Sequence, residues 1–139
     1  MADVRPSSAT RDAQYGFSKV FVHDLDAMAA FYEEVFGIVR YNRHQDTMLG
    51  RNIDEITYQA TYPGGGSLTL IKYLDSTHPS AGESVQGFTT PDIEALVRRA
   101  QAAGGRIPEP IRGIDEFKLR VVFVEDPEGH INEVVQLDL

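Results

Sequence analysis

The feature that most constrains this chain is that it spells one order of elements twice. From Tyr15 to Val22 the segment YGFSKVFV alternates as a half-buried strand does, with Phe17, Lys19 and Phe21 on one face and Ser18, Val20 and Val22 on the other. Asp24 or Asp26 then caps a helix over 27–36, whose apolar stripe of Met28, Phe31, Tyr32 and Val35 has helical spacing, and Gly37 supplies a left-handed stop. Three strand-like segments follow at 38–45, 56–62 and 67–74, the last two joined by Pro63-Gly64-Gly65-Gly66. The order then begins again. A strand at 84–89 leads through Thr90-Pro91-Asp92 into a helix striped by Ile93, Leu96, Val97 and Ala100 and ended by Gly104-Gly105. Segments 106–111, 119–125 and 130–137 complete the set, with Asp126-Pro127-Glu128-Gly129 turning the chain between the last two. A shift of 68 residues superimposes Asp24-Leu25 on Asp92-Ile93, Gly37 on Gly105 and Phe17 on Val85. Few residues are identical between the halves; the agreement of every element in order gives the repeat its weight.

Both halves read β, α, β, β, β, which makes this an α+β chain. The expected divisions are a flexible tail at 1–14, a first module at 15–74, a linker at 75–83 and a second module at 84–139, with a polar loop at 46–55 inside the first. At 139 residues the chain suits one compact unit or two halves sharing a sheet. A chain of this size buries roughly two-thirds of the surface its unfolded form exposes, so it needs no disulfide or metal to hold a core.

Charge and composition narrow the function. A net charge of -8 opposes binding to nucleic acid and to anionic lipid, leaving neutral or cationic small molecules as partners. The absence of cysteine removes disulfides, thiolate metal sites and cysteine nucleophiles, and agrees with the cytoplasmic location expected of the chain. Its apolar runs fall short of the roughly 18 residues that a membrane span needs, and the polar start does not resemble a signal peptide. The run Gly64-Gly65-Gly66 lies in a β–β turn with no following GK[ST] or helix, so it is not read as a phosphate cradle. His23, His44, His78 and His130 lack the paired spacing that aims two imidazoles at one ion, and each is expected at the surface.

Two segments carry a resemblance. Val22-His23-Asp24-Leu25 followed by Phe31-Tyr32-Glu33-Glu34-Val35-Phe36-Gly37, and Phe123-Val124-Glu125-Asp126-Pro127-Glu128-Gly129-His130 leading to Glu133, resemble the vicinal-oxygen-chelate superfamily of glyoxalases, bleomycin-resistance proteins and extradiol dioxygenases. The resemblance implies two βαβββ modules forming a cupped mixed sheet around a small-molecule cavity, and a homodimer. It also implies a set of metal-ligand positions, one on the final strand of the second half, where Glu133 stands. The other three fall at Phe17, Leu70 and Val85, whose hydrocarbon side chains offer no lone pair. No cofactor is therefore expected, a divalent metal held in part by Glu133 being the alternative.

The inward face is expected to comprise Phe17, Lys19, Phe21, Tyr58, Leu68, Leu70, Lys72, Val85, Glu133 and Val135. Such a lining suits an apolar or aromatic molecule oriented by a few polar groups. Glu133 is the candidate catalytic residue, unless Lys72 or Lys19 neutralises it in a structural ion pair. Two functions follow: a metal-free binding protein, or an isomerase or lyase of the glyoxalase I or epimerase type in which Glu133 is a metal ligand or moves a proton beside a carbonyl.

Overall fold

The computed structural model describes residues 9–10, 12, 15–82 and 84–137; most of the expected tail lies outside this set. The first module runs β1 (Phe17–Phe21), α1 (Leu25–Phe36), β2 (Arg40–Met48), β3 (Arg51–Tyr58) and β4 (Ser67–Tyr73). The second runs β5 (Val85–Thr89), α2 (Ile93–Ala102), β6 (Arg112–Ile114), β7 (Leu119–Glu125) and β8 (Ile131–Leu137), with a single 3-10 turn at Asp115–Phe117. Each module forms a four-stranded mixed sheet, ordered β1-β4-β3-β2 and β5-β8-β7-β6. The expected α+β architecture of two βαβββ units is present.

The helix starts are equivalent. Asp24 Oδ1 accepts from the Ala27 N–H at 3.0 Å, and Asp92 Oδ1 from the Ala95 N–H at 3.0 Å, each satisfying a backbone donor that a helix start leaves without an intrahelical partner. Gly37, at φ 65°, ends α1 in the left-handed conformation expected of it.

Two expected boundaries change. Residues 46–55 are not a loop: β2 and β3 form a continuous hairpin closed by Leu49 and Gly50, both at positive φ (53° and 79°), as a two-residue turn matched to strand twist requires. The segment looked like a loop because β2 is a sheet edge, exposed over nearly its whole length, and polar side chains there carry no alternation. In the second module, 106–111 supplies only a bridge from Arg106 to Glu125, and the short edge strand lies later, at Arg112–Ile114.

The register fixes which face each side chain takes. Phe17 lies opposite Ser67 and Val20 opposite Leu70 in the parallel β1/β4 pair, while Ile56 lies opposite Leu70 in the antiparallel β3/β4 pair. Val20, Val22, Ile56, Tyr58 and Leu70 accordingly pack with both helices and with Val122, Val124 and Val134 of the second sheet in one hydrophobic core. The alternate residues take the other faces of the sheets, here called the open faces: Phe17, Lys19 and Phe21 on β1, the buried Thr69 and Ile71 with the half-buried Tyr73 on β4, Val85 and Gly87 on β5, and Glu133 and Val135 on β8.

Tyr58, Leu68, Leu70 and Lys72, expected beside Phe17, thus belong to the helix-facing side. Tyr58 and Leu70 are core residues, Leu68 packs against the core, and Lys72 sits opposite Asp54. For Leu68, Leu70 and Lys72 the physical reason is a one-residue slip in reading β4, whose sequence SLTLIKY is apolar at two adjacent positions, Leu70 and Ile71, so that its parity is ambiguous before pairing is known. Tyr58 lies on β3, where its neighbour Thr57, opposite Thr69, takes the open face.

Candidate functional site

The open faces hold the position that the sequence singled out. Glu133 is half-buried on β8, opposite Gly87 on β5 and Phe123 on β7, with Ile131 and Val135 flanking it along the strand. Among the described residues no hydrogen bond or ion pair engages its carboxylate. Gly87 matters here because a Cβ built at this position meets no atom within 4 Å, leaving clear space beside the acid. The β4 residue equivalent to Glu133 is Thr69, since Thr69 stands two positions beyond the residue opposite Phe17, as Glu133 stands two beyond the residue opposite Val85. The four corners are therefore Phe17, Thr69, Val85 and Glu133.

This donor set does not fit a divalent ion. Phe17 and Val85 offer no lone pair, and the Thr69 hydroxyl lies 3.3 Å from that of Thr57, so one carboxylate is left to do what several oxygen or imidazole donors do in such sites. Among the described residues no group of three or more His, Cys, Asp and Glu side chains converges.

Lys19 does not neutralise Glu133. Its ammonium bonds Glu55 Oε2 at 2.8 Å, and both residues lie on the first module's open face. Lys72 is turned to the other side of the sheet. Aromatic and aliphatic groups share the surface with polar ones: Phe17 is 58% exposed and Val85 54%, and Phe21 stacks on Tyr73 with ring centroids 5.1 Å apart, beside Arg51, Asp75 and Ser76. The Arg51 guanidinium lies 3.5 Å from the centroid of the Tyr73 ring, and a cavity of about 380 Å³ opens beside Phe21, Tyr73 and His78. Such a surface offers ring faces, a cation–π contact and one carboxylate without a partner.

Comparison with known proteins places these features in a family. The profile of the Glyoxalase/Bleomycin resistance protein/Dioxygenase superfamily matches residues 14–134. The chain belongs to this superfamily. Lactoylglutathione lyase GLX1 of Arabidopsis thaliana is 30% identical over 126 residues, which are 83% of this chain but 41% of that protein, so the chain spans less than half the length of this curated relative. Among solved structures, a glyoxalase family protein from Bacillus cereus superimposes with a TM-score of 0.77 at 17% identity, covering 94% of this chain and 98% of its own. The fosfomycin resistance protein FosX from Listeria monocytogenes, solved with Mn(II) and sulfate, gives 0.64 at 16% identity, covering 89% and 91%. These structural likenesses establish the shared fold.

In this superfamily member the modules are joined by a buried polar network that sequence reasoning missed. The Tyr32 hydroxyl of α1 donates to Asp126 Oδ2 at 2.9 Å, and Asn132 Nδ2 of β8 donates to the Tyr32 oxygen at 3.0 Å. Asp126 also holds His130 Nδ1 at 2.8 Å, while His130 Nε2 reaches the Phe21 carbonyl of β1 at 2.7 Å. His130, expected at the surface, is 6% exposed. It looked isolated because one partner is a backbone carbonyl and another lies 98 positions away in the chain, at Tyr32, acting through Asp126. Glu128 extends the clasp by accepting from the backbone N–H groups of His23 and Asp24 at 2.8 and 2.7 Å, where a helix start favours negative charge.

A carboxylate and a carbonyl only accept, so His130 carries hydrogens on both ring nitrogens and is an imidazolium. Burial opposes that charge, but the Asp126 hydrogen bond and charge and the Phe21 carbonyl outweigh it and raise the His130 pKa above its usual value. Burial likewise opposes the Asp126 charge, and the His130 contacts overcome it, so the Asp126 pKa is lowered. The raised histidine contributes stability that is complete below about pH 6.5 and is lost as pH rises through its folded pKa. The depressed aspartate contributes stability above about pH 3.9 that is lost as pH falls through its folded pKa. Urea unfolding is therefore expected to show lower stability at pH 9 than at pH 6, and a His130→Gln variant is expected to flatten that slope. An unchanged slope in the variant would remove His130 as its cause.

Proposed function

We propose that the protein binds a small aromatic molecule bearing a positively charged nitrogen, without a metal, on the open face around Glu133. The observation that carries this reading is the half-buried carboxylate with no partner among the described residues, on the same strand face as Val85, with Phe17 exposed on the first module's open face. An acid in such a place is stabilised by a cation that arrives with the ligand, and the ring finds apolar surface on either side. The excess of 21 acidic over 13 basic side chains favours the same sign of guest. In this reading the protein works as a homodimer, consistent with the exposure of Phe17 and Val85; sedimentation velocity tests it. Among the described residues no helix is long and apolar enough to cross a membrane.

Calorimetric titration with protonated aromatic amines, each paired with a neutral isostere, provides the test. The cation is expected to bind more tightly than its isostere by about tenfold, and Glu133→Gln is expected to abolish that preference. Equal affinity for both members of each pair, or a preference that survives Glu133→Gln, would overturn the proposal.

A second reading is favoured by the 30% identity to a lactoylglutathione lyase. In it Glu133 moves a proton beside a carbonyl. Formation of lactoylglutathione by the purified protein, lost in Glu133→Gln with the fold intact, would establish that reading; its absence with or without added divalent metal would leave the binding role.

A further inference from the structure

The two modules meet around a pseudo-twofold axis marked by the hydrogen bond from Ser18 Oγ to Gln86 Oε1, 2.9 Å between equivalent positions of β1 and β5. The two sides of this seam are filled differently. Counting from the helix caps, Tyr32 corresponds to Ala100; counting from the β1/β4 and β5/β8 registers, His130 corresponds to Gly66 and Asn132 to Leu68. The turns before β4 and β8 correspond as well, Gly65 N–H bonding the Tyr62 carbonyl at 3.0 Å as Gly129 N–H bonds that of Asp126 at 2.9 Å. On one side a phenol, an imidazole and an amide occupy the seam. On the other a methyl group, a hydrogen and an aliphatic chain stand in their places, and a cavity of about 700 Å³ opens, of the size that ligand sites have.

We propose that this seam cavity is a second binding site, taking a planar aromatic molecule that carries one carboxylate. Phe36 and Phe88, stacked with centroids 3.8 Å apart, Tyr58 and Tyr62 contribute ring surface to its wall. Among the described residues that line it Arg99 alone is charged, in a chain otherwise rich in acids. Arg99 Nε and Nη2 donate to the Val35 carbonyl at the end of α1, at 3.3 and 3.1 Å, which fixes the guanidinium, and Nη1 has no partner among the described residues. A fixed guanidinium with a donor to spare beside aromatic rings is a match for a carboxylate on a ring. Val85 and Gly87 of β5 border both this cavity and the open face, but neither Phe17 nor Glu133 lines it, so the anion preference rests on Arg99 and the cation preference on Glu133.

Benzoate serves as the probe, with benzamide as its neutral counterpart, followed by amide NMR shifts of the full chain. Saturable binding is expected below about 1 mM, with the largest shifts at Phe88, Leu96 and Arg99. Arg99→Gln is expected to weaken benzoate by about tenfold and leave benzamide unchanged. Thr61→Trp, a filling substitution at an exposed position of the rim, is expected to block both while the remaining spectrum is preserved. Binding that does not saturate by about 10 mM, shifts centred on Phe17 and Glu133, or indifference to both substitutions would overturn the proposal.

Discussion

Replacing Asp126 with alanine is expected to destabilise the protein by about 3–5 kcal/mol, seen as a fall of roughly 10 °C in the thermal midpoint. Asp126 is fully buried and accepts from the Tyr32 hydroxyl, His130 Nδ1 and the backbone N–H groups of Glu128 and His130. Removing the carboxylate leaves an imidazolium and two amides without their acceptor inside the protein, and the cost of those unpaired groups exceeds any gain from easier burial. The loss reaches beyond the turn, because the same clasp joins α1 and β1 of one module to β8 of the other. Asp126→Asn keeps an acceptor for the backbone amides but not the negative charge opposite His130, and is expected to fall between alanine and the native residue. A loss below about 1 kcal/mol on chemical denaturation of Asp126→Ala would show that the network does not hold the modules together.

Leu70→Ala is the second large effect, at about 2–5 kcal/mol. Leu70 is 0% exposed and packs with Val20 and Ile56 in the core, so truncation opens a cavity that the two sheets and helices cannot close by small shifts. Ligand affinity on the open face is expected to stay within about twofold of the native value, because the side chain points away from it. This pair of readouts separates the two faces of β4. A stable Leu70→Ala protein with altered ligand binding would place Leu70 at the site instead.

The order of elements and the family were legible in the sequence because both rest on local chemistry. Asp24 and Asp92 cap their helices through their own side chains, Gly37 stops α1 by its own backbone freedom, and the stripes of Met28, Phe31, Tyr32 and Val35 show at helical spacing. The site was legible in part. Phe17, Val85 and Glu133 lie on strands whose alternation is clear, and they occupy the open faces. Thr69 was hidden behind Leu70 because β4 is apolar on both faces, and only pairing with β1 decides its parity. The hairpin at 46–55 was hidden for the opposite reason, since a polar edge strand shows no buried face. The Tyr32–Asp126–His130 network was invisible because its partners are far apart in the chain and one of them is a main-chain oxygen.

The outer strand β2 has a consequence for behaviour in concentrated solution. A long strand at the rim of a sheet is a template on which further chains can add, the first step towards fibrils. Here that rim carries Arg40, Arg43, His44 and Asp46, with Arg43 tied to Asp26 and Asp54 and Arg40 to Glu33. An incoming strand would have to displace these ion pairs and strip water from them, so the polarity that made the segment look like a loop also keeps neighbouring molecules from growing onto it.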